Sequence, residues 1–254
     1  MKPRVCILKT DGTNCDQETL FAWELAGAKP EIVYMHQLRS KQTSLNDFEI
    51  LTIPGGFSYG DDIASGKIFA VELLTFFRDQ LEAFVAQDKL VIGICNGFQV
   101  LVRTGLLPFG TLDQMHAALQ DNSIGRFECR WVSMVVPESP CLFTKHLQGR
   151  EIMLPAAHAE GHFFSNADVL ARIEQEGLVA LRYSLEGVPT ESFPHNPNGS
   201  AGGIAGICNK EGTILGLMPH PERFVMEEQY PNWRRMQVCH PHGLQLFEQA
   251  VAHF

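Results

Sequence analysis

The chain has 254 residues, of which 45% are hydrophobic and 19% charged, and its formal net charge at pH 7 is −9. This length and composition are typical of a globular protein with a substantial core, in one large domain or two small ones. The acidic balance, with no basic patch to attract phosphate, argues against general nucleic-acid binding, and no apolar run is long enough to span a membrane.

The cysteines and the N-terminal residues predict a cytoplasmic protein. Seven cysteines, an odd number, are scattered through the chain, which is typical of reduced thiols and not of a disulfide framework. The N-terminal sequence MKPRVCILKTDG turns polar after a short apolar run, so it does not resemble a secretory signal peptide.

Strand-like and helix-like segments alternate in the first half of the chain. Short runs rich in β-branched and apolar residues predict strands, and apolar residues at helical spacing predict helices. The predicted strands are 4–9, 31–35, 48–53 and 90–94, and the predicted helices are 17–27, 68–86 and 98–106. This alternation predicts an α/β fold, an open, mostly parallel twisted sheet flanked by helices.

The second half carries short apolar runs in closer succession. They lie at 131–136, 178–183, 203–207 and 214–217, before a closing helix predicted at 242–252. These runs predict small antiparallel additions to the sheet. Because no repeat, low-complexity tract or long linker interrupts the sequence, residues 1–254 are predicted to form a single domain.

Cys95 stands where a predicted strand turns into a predicted helix, at the edge where open α/β sheets bind ligands. Gly93 and Gly97 flank it in the sequence GICNG. This is the spacing of a nucleophile elbow, G-x-S-x-G, with cysteine in the serine position, and the helix N-terminus would favour the thiolate. A buried cysteine in a tight strand–helix joint agrees with the same five residues, so the pattern alone leaves both interpretations open.

His220 and Glu222 form the second candidate motif, in the sequence LGLMPHPER at 215–223. A nucleophilic cysteine usually needs a base, and the base needs an orienting group. In an extended segment, residues two apart project to the same side, so His220 is predicted to face Cys95 while Glu222 orients the imidazole. An exposed polar turn is the alternative for these residues taken by themselves.

Together these motifs resemble a known enzyme family. GICNGFQVL, followed far downstream by PHPER, is similar to the class I, triad-type glutamine amidotransferases, whose fold is flavodoxin-like. Further matches run in family order over nearly the whole chain: DGTNCDQET, IPGGFSYGDD, RFECRW, AAHAEGHFF, NPNGS and IAGI. The closer resemblance is to the family of glutaminase subunits of phosphoribosylformylglycinamidine synthase, which act in purine biosynthesis.

The resemblance implies a reaction and a catalytic triad. Glutamine would be hydrolysed to glutamate and ammonia through a γ-glutamyl thioester on Cys95. His220 would act as general base and then as general acid, and Glu222 would be its orienting carboxylate.

Backbone N–H groups complete the implied site. The second oxyanion element of the family corresponds to Gly55 and Gly56, whose bare amides can approach a tetrahedral intermediate closely. The N–H of Asn96, next to the nucleophile, is the other predicted oxyanion donor.

Gln99 and His158 are the glutamine-binding residues that the resemblance implies. Gln99 lies one helical turn after Cys95 and therefore projects to the same face. Next to His158 the family usually has glycine, whereas this chain has Ala159. Because the family makes part of its glutamine contacts there through the backbone, this change is compatible with binding.

The resemblance also implies a partner protein. Ammonia would pass to a separate synthetase subunit, which uses ATP and magnesium to convert formylglycinamide ribonucleotide to the amidine, and an additional small bridging subunit is left open. This chain itself is predicted to hold no cofactor and no metal, since its glycine-rich loops lack the G-x-x-x-x-G-K-[ST] spacing of a phosphate-binding loop. Three alternatives remain: a class I amidotransferase that serves another synthetase, a non-catalytic binding subunit, and an unrelated cysteine hydrolase such as a peptidase.

Other cysteine and histidine motifs receive structural interpretations. Cys15 lacks the elbow glycines, and helix capping by Asn14 or Asp16 is the role expected of its segment. The sequence HAEGH at 158–162 departs from the metal-binding pattern H-E-x-x-H. The sequence CHPH at 239–242 has no second ligand pair at zinc spacing, so neither is predicted to bind a metal.

The segment 226–238, MEEQYPNWRRMQV, is polar and is predicted to expose Tyr230 and Trp233. Its clustered aromatic and arginine side chains predict contact with the synthetase subunit, since such residues are enriched at protein interfaces. A surface helix or lid is the alternative.

Overall fold

The structure is a computed structural model that describes residues 2–235 and 240–254. Its strands are β1 (Arg4–Lys9), β2 (Lys29–Tyr34), β3 (Ile50–Ile53), β4 (Leu90–Ile94), β5 (Ala117–Asp121), β6 (Glu128–Val135), β7 (Glu151–His158), β8 (Glu160–Ser165), β9 (Val179–Leu185), β10 (Val188–Pro189), β11 (Ile204–Cys208) and β12 (Ile214–Leu217). Its α-helices are α1 (Asp16–Leu25), α2 (Met35–Arg39), α3 (Lys67–Phe76), α4 (Arg78–Val85), α5 (Asn96–Thr104), α6 (Ala167–Gln175) and α7 (His242–Val251). Across the described ranges, none of these helices has the length and apolar composition that crossing a membrane requires.

One mixed sheet runs through the molecule in the order β2-β1-β3-β4-β12-β11-β9-β6-β7, with β10 paired to β9. Neighbours from β2 to β12 are parallel, and neighbours from β12 to β7 are antiparallel. Strands β3, β4 and β12 are completely buried, which is why each is a continuous apolar run in the sequence. The predicted fold class, a parallel sheet flanked by helices with antiparallel additions, is confirmed.

Strand β12 differs from the prediction in its direction. The sequence predicts 214–217 as an antiparallel addition, but β12 is parallel to β4 and antiparallel only to its other neighbour, β11. Leu217 at the end of β12 lies beside Ile94 at the end of β4. The carboxyl ends of the two strands therefore meet, and so do the motifs that follow them.

The long helix predicted at 68–86 is wrong in one respect, because the chain forms two helices there. Phe77 separates α3 from α4 with φ −130° and ψ 12°. The hydrogen bonds from Phe77 N to Leu73 O and from Leu81 N to Phe77 O continue through the break. The change of direction lets both helices bury apolar residues in the same core, Leu73 from α3 and Leu81 from α4. A periodic pattern carries no signal for such a bend.

The sequence predicts no elements for the stretch that forms β5, β7, β8 and α6. Strand β7 pairs along β6, and β5 and β8 form a separate two-stranded sheet. Alanine, proline and glycine are frequent in β7 and β8, and their low strand propensity hides these elements in the sequence. Pairing with neighbouring strands overrides that propensity, and the turn from β7 to β8 is thereby held at the carboxyl edge of the sheet.

Candidate active site

The candidate site lies at the carboxyl ends of β3, β4 and β12. Cys95 follows β4 directly, and its backbone N–H donates to Leu217 O at the end of β12, at 2.8 Å. The parallel register of these strands brings together residues that are more than a hundred positions apart in the sequence.

Cys95 forms a sharp turn between β4 and α5, with φ +51°. This is a conformation that residues with a side chain rarely adopt, and such strain clusters at functional sites. The flanking glycines have a direct steric reason. A Cβ on Gly97 would lie 1.8 Å from the Ile53 carbonyl oxygen, and a Cβ on Gly93 would lie 2.5 Å from Gly97 O. The two interpretations of the GICNG sequence, a nucleophile elbow and a tight strand–helix joint, therefore describe the same structure. In it, α5 lies directly against the ends of β3 and β4.

His220 and Glu222 meet in a buried pair after β12. The Nδ1 atom of His220 lies 2.6 Å from Oε1 of Glu222, and both side chains are almost completely buried. The segment is not extended as predicted, because Pro221–Arg223 forms a turn of 3₁₀-helix. The backbone N–H of His220 donates to Pro155 O of β7 at 2.8 Å, which fixes the position of the backbone that carries the imidazole. The predicted pairing of imidazole and carboxylate is present in a different backbone conformation.

Cys95 and His220 line one cavity of about 280 Å³. Burial lowers the pKa of His220, but the Glu222 carboxylate and the Cys95 sulfur raise it more, so that this pKa lies well above its usual value. The Nε2 atom of His220 is buried without a hydrogen-bond partner in the described part of the chain. With Nδ1 held by Glu222, this atom is the one that remains to exchange a proton.

The three predicted oxyanion residues surround Cys95 in different ways. Gly56 lines the cavity. Gly55 lies beneath it, where a Cβ would be 2.9 Å from Cε1 of His220 and 3.1 Å from Sγ of Cys15. Asn96 is the first residue of α5, where backbone N–H groups have no carbonyl of a preceding turn to pair with.

The side chains of Asn96 and Gln99 are joined to each other and to the β7–β8 turn. Asn96 Nδ2 donates to Gln99 Oε1 at 3.0 Å, and Gln99 Nε2 donates to Glu160 O at 2.6 Å. Asn96 Oδ1 also accepts from Ser58 Oγ at 2.7 Å. Gln99 borders the cavity, but both ends of its amide already have protein partners.

His158 is buried within a polar network next to the cavity. Its Nδ1 lies 3.1 Å from Asn122 Oδ1, and its Nε2 lies 3.4 Å from Asn198 Nδ2. Burial, and next the charge of His220, lower the pKa of His158 to about 4, so the ring is neutral at physiological pH. Asn122 also donates to His158 O at 2.8 Å. The two asparagines therefore hold the His158 ring, and Asn122 also holds the backbone of the β7–β8 turn. The sequence predicts no role for either asparagine, although Asn198 lies in the NPNGS match.

Cys15 lies in the same cavity, which the sequence does not predict. Cys15 is itself the residue that precedes α1, and no side chain caps that helix, so capping by Asn14 or Asp16 is wrong. Asp16 instead pairs with Lys9 Nζ at 2.5 Å. Arg223 Nη2 donates to Cys15 Sγ at 3.1 Å. Only the tertiary structure brings this cysteine and this arginine to the site.

Among the described residues, the potential metal ligands that cluster in space are Cys15, His220 and Glu222, with ligand atoms within 4.8 Å of one another. The HAEGH sequence at 158–162 spans the turn from β7 to β8 and is not helical. In the CHPH sequence, Cys239 lies outside the described residues. His240 Nε2 pairs with Glu248 Oε2 at 2.5 Å.

The surface segment predicted to contact a partner is described up to residue 235, and 236–238 lie outside the described residues. Trp233 is 39% exposed, as predicted. Tyr230 is not, because its ring packs 5.0 Å from that of Trp131 and it is only 8% exposed.

Comparisons with known proteins identify the family. A family model described as the CobB/CobQ-like glutamine amidotransferase domain matches residues 2–254. The chain is 46% identical to phosphoribosylformylglycinamidine synthase subunit PurQ of Treponema denticola, over 89% of this chain and 90% of that protein. It is 40% identical to the PurQ subunit of Dehalococcoides mccartyi, over 98% of this chain and 97% of that protein.

A solved structure gives the same answer for the fold. The structure of PurLQS from Thermotoga maritima contains a chain that is 33% identical and superposes with a TM-score of 0.76, covering 100% of this chain and 99% of that one. The predicted family resemblance is confirmed. The chain is a glutamine amidotransferase that belongs to the family of PurQ subunits of phosphoribosylformylglycinamidine synthase.

Proposed function

We propose that this chain hydrolyses glutamine to glutamate and ammonia through a thioester on Cys95. The observation that supports this proposal most directly is the meeting of Cys95 with the buried His220–Glu222 pair at one cavity. A cysteine, a base in reach of it and a carboxylate that orients the base are the elements of nucleophilic acyl transfer.

The first chemical step transfers the Cys95 thiol proton to Nε2 of His220. The thiolate then attacks the carboxamide carbon of glutamine. The imidazolium returns the proton to the leaving nitrogen, so that ammonia departs and a γ-glutamyl thioester remains. Water attacks the thioester with His220 again as base, which releases glutamate and restores the thiol. Glu222 holds the imidazole in the tautomer that leaves Nε2 free and stabilises its charged form.

The negative oxygen of each tetrahedral intermediate is bound by backbone N–H groups. The donors are those of Asn96 at the start of α5 and of the Gly55-Gly56 turn after β3. Each N–H donor in an oxyanion hole of this kind stabilises the transition state by about 3 kcal/mol. Gln99 and the β7–β8 turn beside His158 form the wall that receives the glutamine.

The ammonia serves a synthetase. The similar proteins are named as subunits of phosphoribosylformylglycinamidine synthase, and the similar solved structure is that of PurLQS. We therefore assign this chain the glutaminase step of purine biosynthesis in the cytoplasm. ATP and magnesium would be bound by the synthetase subunit, and the complex is compatible with an additional small bridging subunit.

The test of the nucleophile is covalent labelling followed by peptide mass spectrometry. A chloroketone or diazo-ketone analogue of glutamine is expected to form one adduct, on Cys95, and none in Cys95→Ala. Cys15 is the internal control, because it is a second thiol in the same cavity. Labelling of Cys15 in place of Cys95 would overturn the assignment.

A further inference from the structure

Cys15 is a buried thiol in the active-site cavity for which the hydrolysis has no role. It is 1% exposed, and it follows the turn after β1, at the start of α1. The point above Gly55 shows how closely the groups converge: a Cβ placed there would lie 3.1 Å from Cys15 Sγ, 3.5 Å from Cys95 Cβ and 2.9 Å from His220 Cε1. The missing side chain of Gly55 thus leaves the Cys15 sulfur, the Cβ of Cys95 and the His220 imidazole around one small space.

Nε2 of His220 is the ligand atom available to that space, because a bound cation displaces the proton that this nitrogen carries. His220 Nε2 is buried and has no hydrogen-bond partner among the described residues, while Nδ1 is held by Glu222 at 2.6 Å. A histidine whose Nδ1 is bound to a carboxylate and whose Nε2 is free is the arrangement that supports metal-ligating histidines in proteins. Thiolate and imidazole together select soft or borderline divalent cations such as zinc.

We propose that Cys15, Cys95 and His220 form an inhibitory binding site for zinc or a similar soft divalent cation. The ligands are the two sulfur atoms and Nε2, with water in the fourth position. Zinc bonds of about 2.3 Å to sulfur and about 2.0 Å to nitrogen place tetrahedral ligand atoms a little under about 4 Å apart. The ligand atoms of Cys15 and His220 already lie within 4.8 Å of each other. The third ligand, Cys95 Sγ, lies 3.9 Å from Ala157 O and has to rotate about its Cα–Cβ bond to reach the cation.

The charges around the site balance when a divalent cation is bound. Two thiolates neutralise the cation, and the buried Glu222 carboxylate has Arg223 Nε at 4.0 Å. Arg223 also donates to Cys15 Sγ at 3.1 Å, which is the hydrogen bond that a metal-bound thiolate needs from its surroundings. A buried cluster without net charge avoids the cost of an isolated buried ion.

The bound cation would occupy both the nucleophile's sulfur and the base's nitrogen. Glutamine hydrolysis would then stop, and removal of the cation would restore it. Inhibition rests on the proposed function, whereas binding of the cation does not, so the two are measured separately.

Binding is tested on the full chain kept reduced with a phosphine, by titration with zinc against a chromophoric chelator and with cobalt(II) as a spectroscopic probe. We expect one cation per chain and a sulfur-to-cobalt charge-transfer band. Cys15→Ser and Cys95→Ser should each weaken binding by about 10- to 100-fold. Cys129→Ser is the matched control, because Cys129 is an exposed thiol outside the cavity. Unchanged zinc affinity in Cys15→Ser would mean an adventitious cation elsewhere and would overturn the proposal.

Two further measurements use the wild-type chain and so do not depend on how the variants fold. Zinc should protect both Cys15 and Cys95 from alkylation, as read by peptide mass spectrometry, and leave Cys129 reactive. Zinc should also inhibit glutaminase activity reversibly, with a chelator restoring the rate. Alkylation of Cys15 at an unchanged rate in saturating zinc would exclude it as a ligand. If zinc binds and protects both thiols but glutamine is not hydrolysed in its absence, then the proposed function fails and the metal site stands.

Discussion

At the scale of single residues, the site depends on the buried carboxylate of Glu222 and its pairing with His220. Glu222 is fully buried and His220 nearly so, and a buried carboxylate is stable only when it is paired. The 2.6 Å contact between them is therefore structural and chemical at once. It raises the pKa of an imidazole whose burial alone would lower it.

Glu222→Gln tests this coupling. The variant keeps the shape of the side chain and removes its charge, so the pKa of His220 should fall and the imidazolium should lose its partner. We expect kcat for glutamine hydrolysis to drop by about 10³- to 10⁴-fold. Alkylation of Cys95 should slow as well, because an imidazole without its carboxylate partner is a weaker base for the thiol proton. Glu228→Gln changes an exposed carboxylate and should leave both rates near wild type. An undiminished kcat in Glu222→Gln would refute its orienting role.

The lowered pKa of His158 predicts that the folded chain loses stability at acidic pH. Its pKa is about 4 in the folded chain and about 6.5 in the unfolded chain, so between these values the unfolded state binds more protons. Stability therefore falls as pH is lowered from about 6.5 to about 4, by about 3 kcal/mol from this residue. His220 has a raised pKa, so it opposes this slope near pH 6.5 and adds no slope below about 5.5, where it is protonated in both states.

The measurement is the free energy of unfolding in urea at several pH values. Wild type should lose more stability on acidification than His158→Asn, whatever the difference between them at pH 7. His253→Asn, at an exposed histidine, is the control and should keep the wild-type slope. Parallel pH profiles for wild type and His158→Asn would contradict the prediction.

At the scale of elements, the packing of α5 on the strand ends positions the nucleophile. The helix approaches so closely that its second residue, Gly97, touches the carbonyl of Ile53. The same approach places Asn96 and Gln99 where they reach Ser58 and Glu160. The β3 loop, the elbow and the β7–β8 turn are thereby connected through one helix N-terminus.

Gly97→Ala should break this arrangement. Its new Cβ would lie 1.8 Å from Ile53 O, so α5 has to move away from β3 and take Cys95 with it. We expect a loss of more than about 3 kcal/mol in the free energy of unfolding, at or beyond the usual range for overpacking. Gly110→Ala is the comparison, because its Cβ meets nothing within 4 Å and the variant carries only the strain of φ +68°, about 1–2 kcal/mol. Equal losses in the two variants, measured by urea unfolding, would show that the contact with Ile53 is not decisive.

At the scale of the whole molecule, the cavity opens beside two exposed aromatic side chains. Phe57 and Phe127 both line the cavity and are 50% and 48% exposed. A partner that covers them would exclude bulk solvent from the cavity and strengthen the electrostatic interactions inside.

The isolated chain should therefore hydrolyse glutamine slowly. Adding a phosphoribosylformylglycinamidine synthetase subunit, with ATP, magnesium and formylglycinamide ribonucleotide, should raise kcat by roughly 10- to 100-fold, as expected from a coupling free energy of about 1–3 kcal/mol. The measurement is glutamate release with and without the partner, with ATP omitted as the control. Fast hydrolysis by the isolated chain, unchanged by the synthetase, would refute the coupling.

The segment around Trp233 gives a second prediction about assembly. The Arg234 guanidinium lies 5.2 Å from the centre of the exposed Trp233 ring, and tryptophan and arginine are frequent among the dominant residues of interfaces. Trp233→Ala with Arg234→Ala should weaken binding of the synthetase subunit by about 2 kcal/mol, roughly 30-fold in Kd, in analytical ultracentrifugation. Phe76→Ala with Arg39→Ala removes a similar stacked pair, 4.0 Å apart, between α3 and α2 and should leave Kd unchanged. Equal Kd values for both double variants and wild type would exclude the segment from the interface.

The sequence could predict those parts of the site that local chemistry encodes. The glycines around Cys95 predict an elbow because the backbone demands them, and His220 and Glu222 are found because they stand two residues apart. The roles of Cys15 and of the asparagines around His158 could not be found, since these residues reach the site through contacts between distant segments. Arg223 stands next to Glu222 in the sequence, but its contact with Cys15 is made only in the folded chain. Likewise the bend at Phe77 leaves no trace in the spacing of apolar residues.

By itself the sequence determined the family, the alternation of strands and helices, and the identity of the proposed nucleophile, base and carboxylate. These are properties of short motifs and of their order. Only the tertiary structure decided that β12 is parallel to β4, which places the carboxyl ends of both strands, and with them Cys95 and His220, at one cavity. It also placed Cys15 beside them. Strand direction and long-range packing depend on which segments pair in space, and the hydrophobic pattern of a single strand is the same in either direction.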